Sequence, residues 1–494
     1  MRITIPFGEW LPDLPNMQNP GAIEALNVIP AQTSYQPFPQ PVVFSTSLSA
    51  RCQGAIIARD TAGNSYNFTG DVTKLYQLVG TSWTNVSRLV GGVYATPADD
   101  FWEFAQWGNT VIGVNAFDTP QRLSLGAANF VVLPGAPPQA RHIAVVRDFV
   151  ILGNISATAG MPQAVAWSAI NNSDSWTADA ATLADRQDLP GDGGWIQKIV
   201  GGEYGVIFQE RAIFRMTFVG SPLIFQFDQV QQNIGAYAPQ SVIAYQNLIF
   251  FLSEDGFYRF DGVNAQPIGK GKVDNTFFDD LDTSNYLRIQ AAIDPVNKLV
   301  MWAYPASGNS GGNPNKIIIY NWAFDKWSHV QDLNIEILTR SVSGVLTLDG
   351  LDAINTSVDA LPVSLDSRQW NAGQLILSYF NGDHRLARFN GNAMSARVDT
   401  GERQFNPNMN GRSYLTEVRP IGEGLSATME VAVISRNLLT NSVSAATAVA
   451  PVSAGFAQVR SSGRFHRIRL TTDAGSTYTN LQGVDVEVKP EGGR

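Results

Sequence analysis

Tyr204, Glu210 and Arg211 form the only local grouping in this sequence with the residue types of a glycoside-cleaving centre. That chemistry asks for a tyrosine with a glutamate partner, a cluster of arginines for an anionic sugar, and an acid on the rim. Here the three flank one alternating stretch, EYGVIFQERA, which solvated charges at the ends of a strand explain in full. Four histidines, His142, His329, His384 and His466, are scattered without the two-to-five-residue spacing of metal ligands. Cys52 is the sole cysteine, so no intrachain disulfide or thiolate cage exists, and it reads as a small buried hydrophobe. Asp99-Asp100 and the Asp279, Asp280, Asp282 run offer carboxylates for a cation but lack any EF-hand order, which favours solvated loops.

Other signals of chemistry are equally thin. Nucleophile elbow, phosphate loop and dinucleotide fingerprint are all absent, and the glycines of GKG at 269 to 271 belong to a turn. NNSDSWT at 171 to 177 and AFDKWSHV at 323 to 330 loosely resemble the Asp-box turn of sialidases but lack its glycine. Trp83, Trp102, Trp107, Trp167, Trp176, Trp322 and Trp327 could stack on sugars, yet most recur at matching places in repeated units, which points to core. No residue is therefore assigned a catalytic, cofactor-binding or metal-ligating role, and no cofactor is expected.

The elements that hold these residues are repeated. LYQLVGTSWTNVS matches FYRFDGVNAQPIG place for place, with Leu75 over Phe257, Tyr76 over Tyr258 and Val86 over Ile268. A polar turn running straight into an aliphatic strand recurs at Gly108, Arg147, Glu203, Gln246 and Val296, and AIIARDTAGNSYNF near Gly63 fits one period earlier. Periods of roughly 40 to 50 residues holding three or four short strands have the size of a propeller blade. About seven such units are expected between residues 55 and 393, with 331 to 372 fitting poorly. A strand in PVVFSTSLSA or GAIIARD is the candidate to complete the last of them.

Composition agrees with an all-β chain. Only 16% of its 494 residues are charged, against 44 glycines and 26 prolines. The net charge of −9 excludes a protein that coats nucleic acid by neutralising phosphates. No stretch approaches the length of a membrane span, and Pro6 and Glu9 interrupt what a signal peptide would need to be apolar. Residues 394 to 494 change texture: TMEVAVISR and GRFHRIRLTTD alternate cleanly, as strands of a β-sandwich do. Arg385 to Leu470 holds 11 arginines, no lysine and 5 acids, a tract suited to carboxylates on a neighbour or to solvated strand faces. Residues 1 to 54 read as an irregular assembly segment. Its Trp10, Leu11 and Leu14 would anchor on another subunit, and its one predicted helix, NPGAIEALNVIP, would have Asn19 as cap, Pro20 first and Glu24 early.

Three stretches carry a resemblance: PFGEWLPDLPNMQNPGAIEALNVIP at the start, ARVDTGERQFNPNMNGRSYLTEVRP at 396 to 420, and SGRFHRIRLTTDAGSTYTNLQGVDVEVKPEGGR at the end. They look like structural proteins of tailed phages, and the layout of most of the chain is similar to the tail nozzle, or tail hub, proteins of short-tailed bacteriophages. The resemblance implies a non-enzymatic virion protein, made in the host cytoplasm and built into the tail. It would form a homohexameric ring below the head-to-tail adaptor, extend the channel for DNA ejection without gripping the DNA, and anchor tail fibres or spikes. Many members are larger, and fibre docking is the implied role that depends on their additional insertions. The competing reading is a carbohydrate-binding or receptor-binding propeller with a glycosidase-like fold.

Overall fold

The computed structural model describes residues 1–17, 19–155, 160–342, 357, 375–406, 411–424, 429–445 and 447–491. Among them the only helices are the α-helix Asp274–Asp280 and the short 3-10 turns Pro239–Ser241 and Thr283–Arg288. Everything else regular is strand, in a propeller-like all-β architecture. Six sheets hold four strands each, and a seventh run of four heads a ten-stranded sheet. Within every run the pairing is antiparallel.

In chain order the runs begin with Gly54–Arg59, Glu103–Trp107, Ala140–Val146, Ile196–Val200, Ile243–Tyr245, Gln290–Asp294 and Ile335–Val342. Successive first strands pack side by side except from the fourth to the fifth, where Pro239–Ser241 stands between the fourth run and the sixth, and Ile335–Val342 returns to touch Gly54–Arg59. Each recurring turn-and-strand segment becomes the second strand of its run: Thr110–Val114, Phe149–Ile155, Gly205–Gln209, Leu248–Ser253 and Leu299–Tyr304. The turns before them put a residue in the left-handed region, Gly108 at φ 55°, Arg147 at 49°, Gln246 at 54° and Lys298 at 60°. A non-glycine residue there costs about 1 kcal/mol, which long strands on either side must over-determine.

The duplicated hairpin is the third and fourth strand of two different runs, Leu75–Val79 with Ser82–Asn85 and Gly256–Phe260 with Ala265–Pro267. The likeness extends to hydrogen bonds. Val86 N donates to Leu75 O at 2.9 Å and Ile268 N to Phe257 O at 2.8 Å. Tyr76 donates to Asp71 Oδ2 at 2.8 Å and Tyr258 to Asp255 Oδ2 at 2.7 Å. The last run is completed from the other end of the chain, because Pro39–Ser47 pairs with Arg385–Ala393, as PVVFSTSLSA suggested. The poorly fitting stretch 343 to 356 and 358 to 372 lies outside the described residues.

The C-terminal hundred residues form two sheets with N-terminal strands woven into both. Asn480–Glu491 pairs with Arg412–Glu423 and with Arg2–Pro6, while Ala22–Leu26 pairs with Ala396–Thr400. Leu415, Val418 and Val486 of one sheet share a buried cluster with Val398, Val433 and Ile468 of the other.

Two expectations for the N-terminus are corrected. The helix over NPGAIEALNVIP is instead two strands, Ala22–Leu26 and Val28–Pro30. Asn19 does not cap a helix: its Oδ1 accepts from Gly21 N at 2.9 Å and its Nδ2 donates to Leu11 O at 2.9 Å. Gly21 lies so near Glu9 that a Cβ would sit 1.9 Å from the Glu9 carbonyl oxygen, so the chain doubles back where a helix would advance. Nor are residues 1 to 54 irregular, since they carry Arg2–Pro6, Ala22–Leu26, Val28–Pro30, Tyr35–Pro37 and Pro39–Ser47. Phe7, Trp10 and Tyr35 are buried within their own chain, and Trp10 stacks on His329 at 4.7 Å.

Candidate functional site

Where the first strands converge, six of the seven runs contribute a polar side chain near or just before the start of that strand. Gln53 precedes the first strand; Glu103, His142, Lys198, Gln290 and Glu336 lie on five of the others. Gln53, Glu103, Lys198 and Gln290 line a cavity of about 220 Å³ together with Arg340. Space of that size holds about seven waters.

The side chains form two networks. In one, Lys198 Nζ lies 3.2 Å and His142 Nδ1 2.9 Å from Glu103 Oε2. Burial alone would raise the Glu103 carboxyl, but Lys198 and His142 outweigh it and hold the group below the usual carboxylate range. Burial pushes His142 down, against the pull of Glu103. The imidazole is thus neutral, donates from Nδ1 and leaves Nε2 buried without a partner. In the other, Glu336 Oε2 accepts from Cys52 N at 2.9 Å and Oε1 meets His384 Nδ1 at 2.5 Å. Burial raises Glu336, countered by Cys52 N–H and His384. Burial likewise pushes the Cys52 thiol up to about 12, and its Sγ rests 2.9 Å from Thr69 Oγ1, so it is no nucleophile at neutral pH.

Both lowered groups of the first network make the same kind of contribution to pH dependence. A group depressed in the fold stabilises it above the unfolded pKa and loses that contribution as pH falls. For His142 the window opens near the unfolded value of about 6.5, with a slope of up to about 1.4 kcal/mol per pH unit. Urea melts of wild type and His142→Asn between pH 7.5 and 5 should therefore converge as pH falls. A constant gap would show that His142 titrates alike in both states.

The residues singled out in the sequence are not brought together. Tyr204 and Glu210 bracket the strand Gly205–Gln209 and so stand about 20 Å apart along it. Glu210 accepts from Gln197, and Arg211 donates to Asp192 O at 2.9 Å. Asp99 lies on an exposed turn, as expected, and also pairs with Arg288 at 2.7 Å, whereas Asp100 is largely covered and pairs with Arg141 at 2.8 Å. Asp280 receives Lys316, and Asp282 caps the turn Thr283–Arg288. No group of three potential metal ligands occurs among the described residues. His329 meets Glu24, and His466 contacts Ser413 Oγ at 2.9 Å. Trp102, Trp167 and Trp327 are buried; Trp83, Trp107, Trp176 and Trp322 pack at the margins of the cores.

The convergent polar ring went unnoticed in the sequence because its members share no residue type. A positional signal exists. Glu103, His142 and Lys198 each lie five residues ahead of a recurring turn-and-strand segment, at Gly108, Arg147 and Glu203.

Fold and site together define an all-β chain of four-stranded sheets around a small polar cavity. Among the described residues no helix is long and apolar enough to cross a membrane. Neither a family model nor a curated protein matches the sequence.

Proposed function

We propose that this chain is a structural component of a phage tail, a nozzle or hub subunit built as a seven-bladed β-propeller with a C-terminal β-sandwich. The observation that carries the reading is a set of four-strand runs closed by the strand Pro39–Ser47, around polar side chains tied to one another rather than arranged for a substrate. A DNA conduit cannot run through one copy. The convergence of first strands is filled by packed side chains and leaves only about 220 Å³, room for about seven waters and not for a duplex. The channel must lie between copies, which calls for a ring of repeated heterologous contacts that closes. A net charge of −9 suits a wall past which DNA slides, since a negative surface gains nothing from counterion release. The adaptor above and fibres or spikes at the side are the partners this placement requires.

The test is the copy number in the assembled particle. Electron microscopy of the tail, or native mass spectrometry of purified protein, is expected to show six copies in a ring. A strictly monomeric chain in the mature particle would overturn the proposal.

A further inference from the structure

A cleft of about 540 Å³ lies where three parts of the chain meet. The stretch 332 to 334 leading into Ile335–Val342 and the turn 381 to 383 after Leu375–Asn381 contribute from the last four-strand run, Asn27 and Gln40 from the N-terminal strands, and Ser395 and Ala474 from the C-terminal ones. Clefts of about 300–1,000 Å³ at such junctions are where small molecules bind.

Several polar groups in its lining are uncommitted. Tyr379 is only 5% exposed, yet its hydroxyl has no partner among the described residues. Burial pushes that phenol up to about 12, so it keeps its proton and can both donate and accept. The carboxylates of Asp332 and Asp383 and the amide of Gln40 likewise have no partner among the described residues. Asn334 and Asn381 commit only their oxygens: Asn334 Oδ1 accepts from Asn313 Nδ2 at 3.0 Å, and Asn381 Oδ1 from Asp383 N at 3.1 Å and Arg385 N at 3.0 Å. Gly382 gives the Asn334 amide its place, since a Cβ there would sit 2.1 Å from Nδ2.

The composition of the lining selects among guests. No lysine or arginine belongs to it, so an oxyanion would meet two carboxylates with no cation to offset them. A metal ion would face amide NH2 groups and a protonated phenol, and no group of three potential ligands occurs among the described residues. Hydroxyls suit both kinds of group, because they donate to carboxylates and accept from amides. Leu333, Met394 and Pro41 add an apolar part for the C–H faces of a ring.

We propose that this cleft binds a neutral saccharide, its hydroxyls shared among Tyr379, Asp332, Asp383 and the amides of Gln40, Asn334 and Asn381. The cleft is open and covers less of a guest than a closed pocket does, which places the dissociation constant at about 1 mM. The inference stands on the cleft alone and is independent of the tail assignment.

Saturation-transfer NMR of the full-length protein with maltose, lactose, cellobiose and chitobiose tests it, with sialyllactose, inorganic phosphate and spermidine as charged comparisons. Wild type is expected to give saturable transfer to at least one neutral disaccharide and none to sialyllactose or phosphate. Tyr379→Phe should weaken that binding about fivefold, the worth of one hydrogen bond. Asp332→Asn combined with Asp383→Ala should weaken it at least about tenfold. Each change removes a group that has no partner in the fold, so both variants should melt with wild type when sugar is absent. Failure of every neutral disaccharide to bind wild type would overturn the proposal, as would uptake confined to a charged comparison or undiminished binding by both variants. Should the double variant fail to fold, Tyr379→Phe, which deletes a single oxygen, decides alone.

Discussion

A chain lacking residues 1–47 is expected to have no cooperative fold. The seventh four-strand run would keep Ile335–Val342, Leu375–Asn381 and Arg385–Ala393 but lose its fourth member, leaving the ladder of Arg385–Ala393 open to solvent. Phe44 covers the Arg388 guanidinium at 3.3 Å, and Phe38 meets Phe389 edge-on at 5.2 Å. Upstream, Ala22–Leu26 joins the sixth run to the C-terminal sheet through Leu26 opposite His329 and Ala25 opposite Val398. Ile5, Phe7, Trp10, Val28, Tyr35 and Phe38 are all buried. At about 1.5–3 kcal/mol each, their loss removes roughly 9–18 kcal/mol. Typical net stabilities are about 5–15 kcal/mol in total. Circular dichroism melts of residues 48–494 should show no sharp transition, and gel filtration should show aggregate. A segment that served only a neighbouring subunit would give the opposite result, a truncated chain that melts like wild type and merely fails to assemble.

The same segment shows where sequence reading reaches and where it stops. Repeats announce themselves because each run solves one local problem in one way: a left-handed turn, then an aliphatic strand buried on both faces. Phe149–Ile155 and Leu299–Tyr304 are buried at every position, and their apolar runs stand out in any window. The hairpins at Leu75 and Phe257 repeat for the same reason. Ala22–Leu26 has no such signature, since its partners Ala396–Thr400 and Lys326–Val330 lie over 300 residues away, and Asn-Pro-Gly ahead of it mimics a helix start. Local propensity spoke for helix, and long-range pairing overrode it. The convergent polar side chains were hidden differently. Six of the seven runs contribute one, but charge balance is set across runs, so Glu103 is answered by Lys198 two runs later and nothing in either neighbourhood reveals the match.

Charge balance of that kind also sets the second large effect. Asp399 is 0% exposed on its side chain, yet three guanidiniums converge on it from two strands. Arg397 Nη2 lies 2.8 Å from Oδ2, Arg469 Nη2 3.0 Å, and Arg467 Nε 3.6 Å. Burial tends to raise the carboxyl, but the hydrogen bonds from Arg397 and Arg469 prevail and hold it below the usual range. Asp399 thereby stabilises the fold above the unfolded value of about 3.9, and that contribution disappears as pH falls below it. Replacing one partner of a buried ionic cluster costs about 3–5 kcal/mol, because the charges left behind stay desolvated. Asp399→Asn leaves three guanidiniums around an amide, one of them, Arg467, already drawn down by burial. The strands Ala396–Thr400 and Phe465–Thr472, paired through Asp399 opposite Arg469, would then be held apart by like charge. Asp99 supplies the control: its pair with Arg288 at 2.7 Å is 64% exposed on the acid, so Asp99→Asn should cost at most about 1 kcal/mol. Urea titrations at pH 7 should place the Asp399→Asn midpoint far below wild type and the Asp99→Asn midpoint beside it. Equal midpoints for the two variants would mean that the arginines find other acceptors, and that Asp399 is a bystander among them.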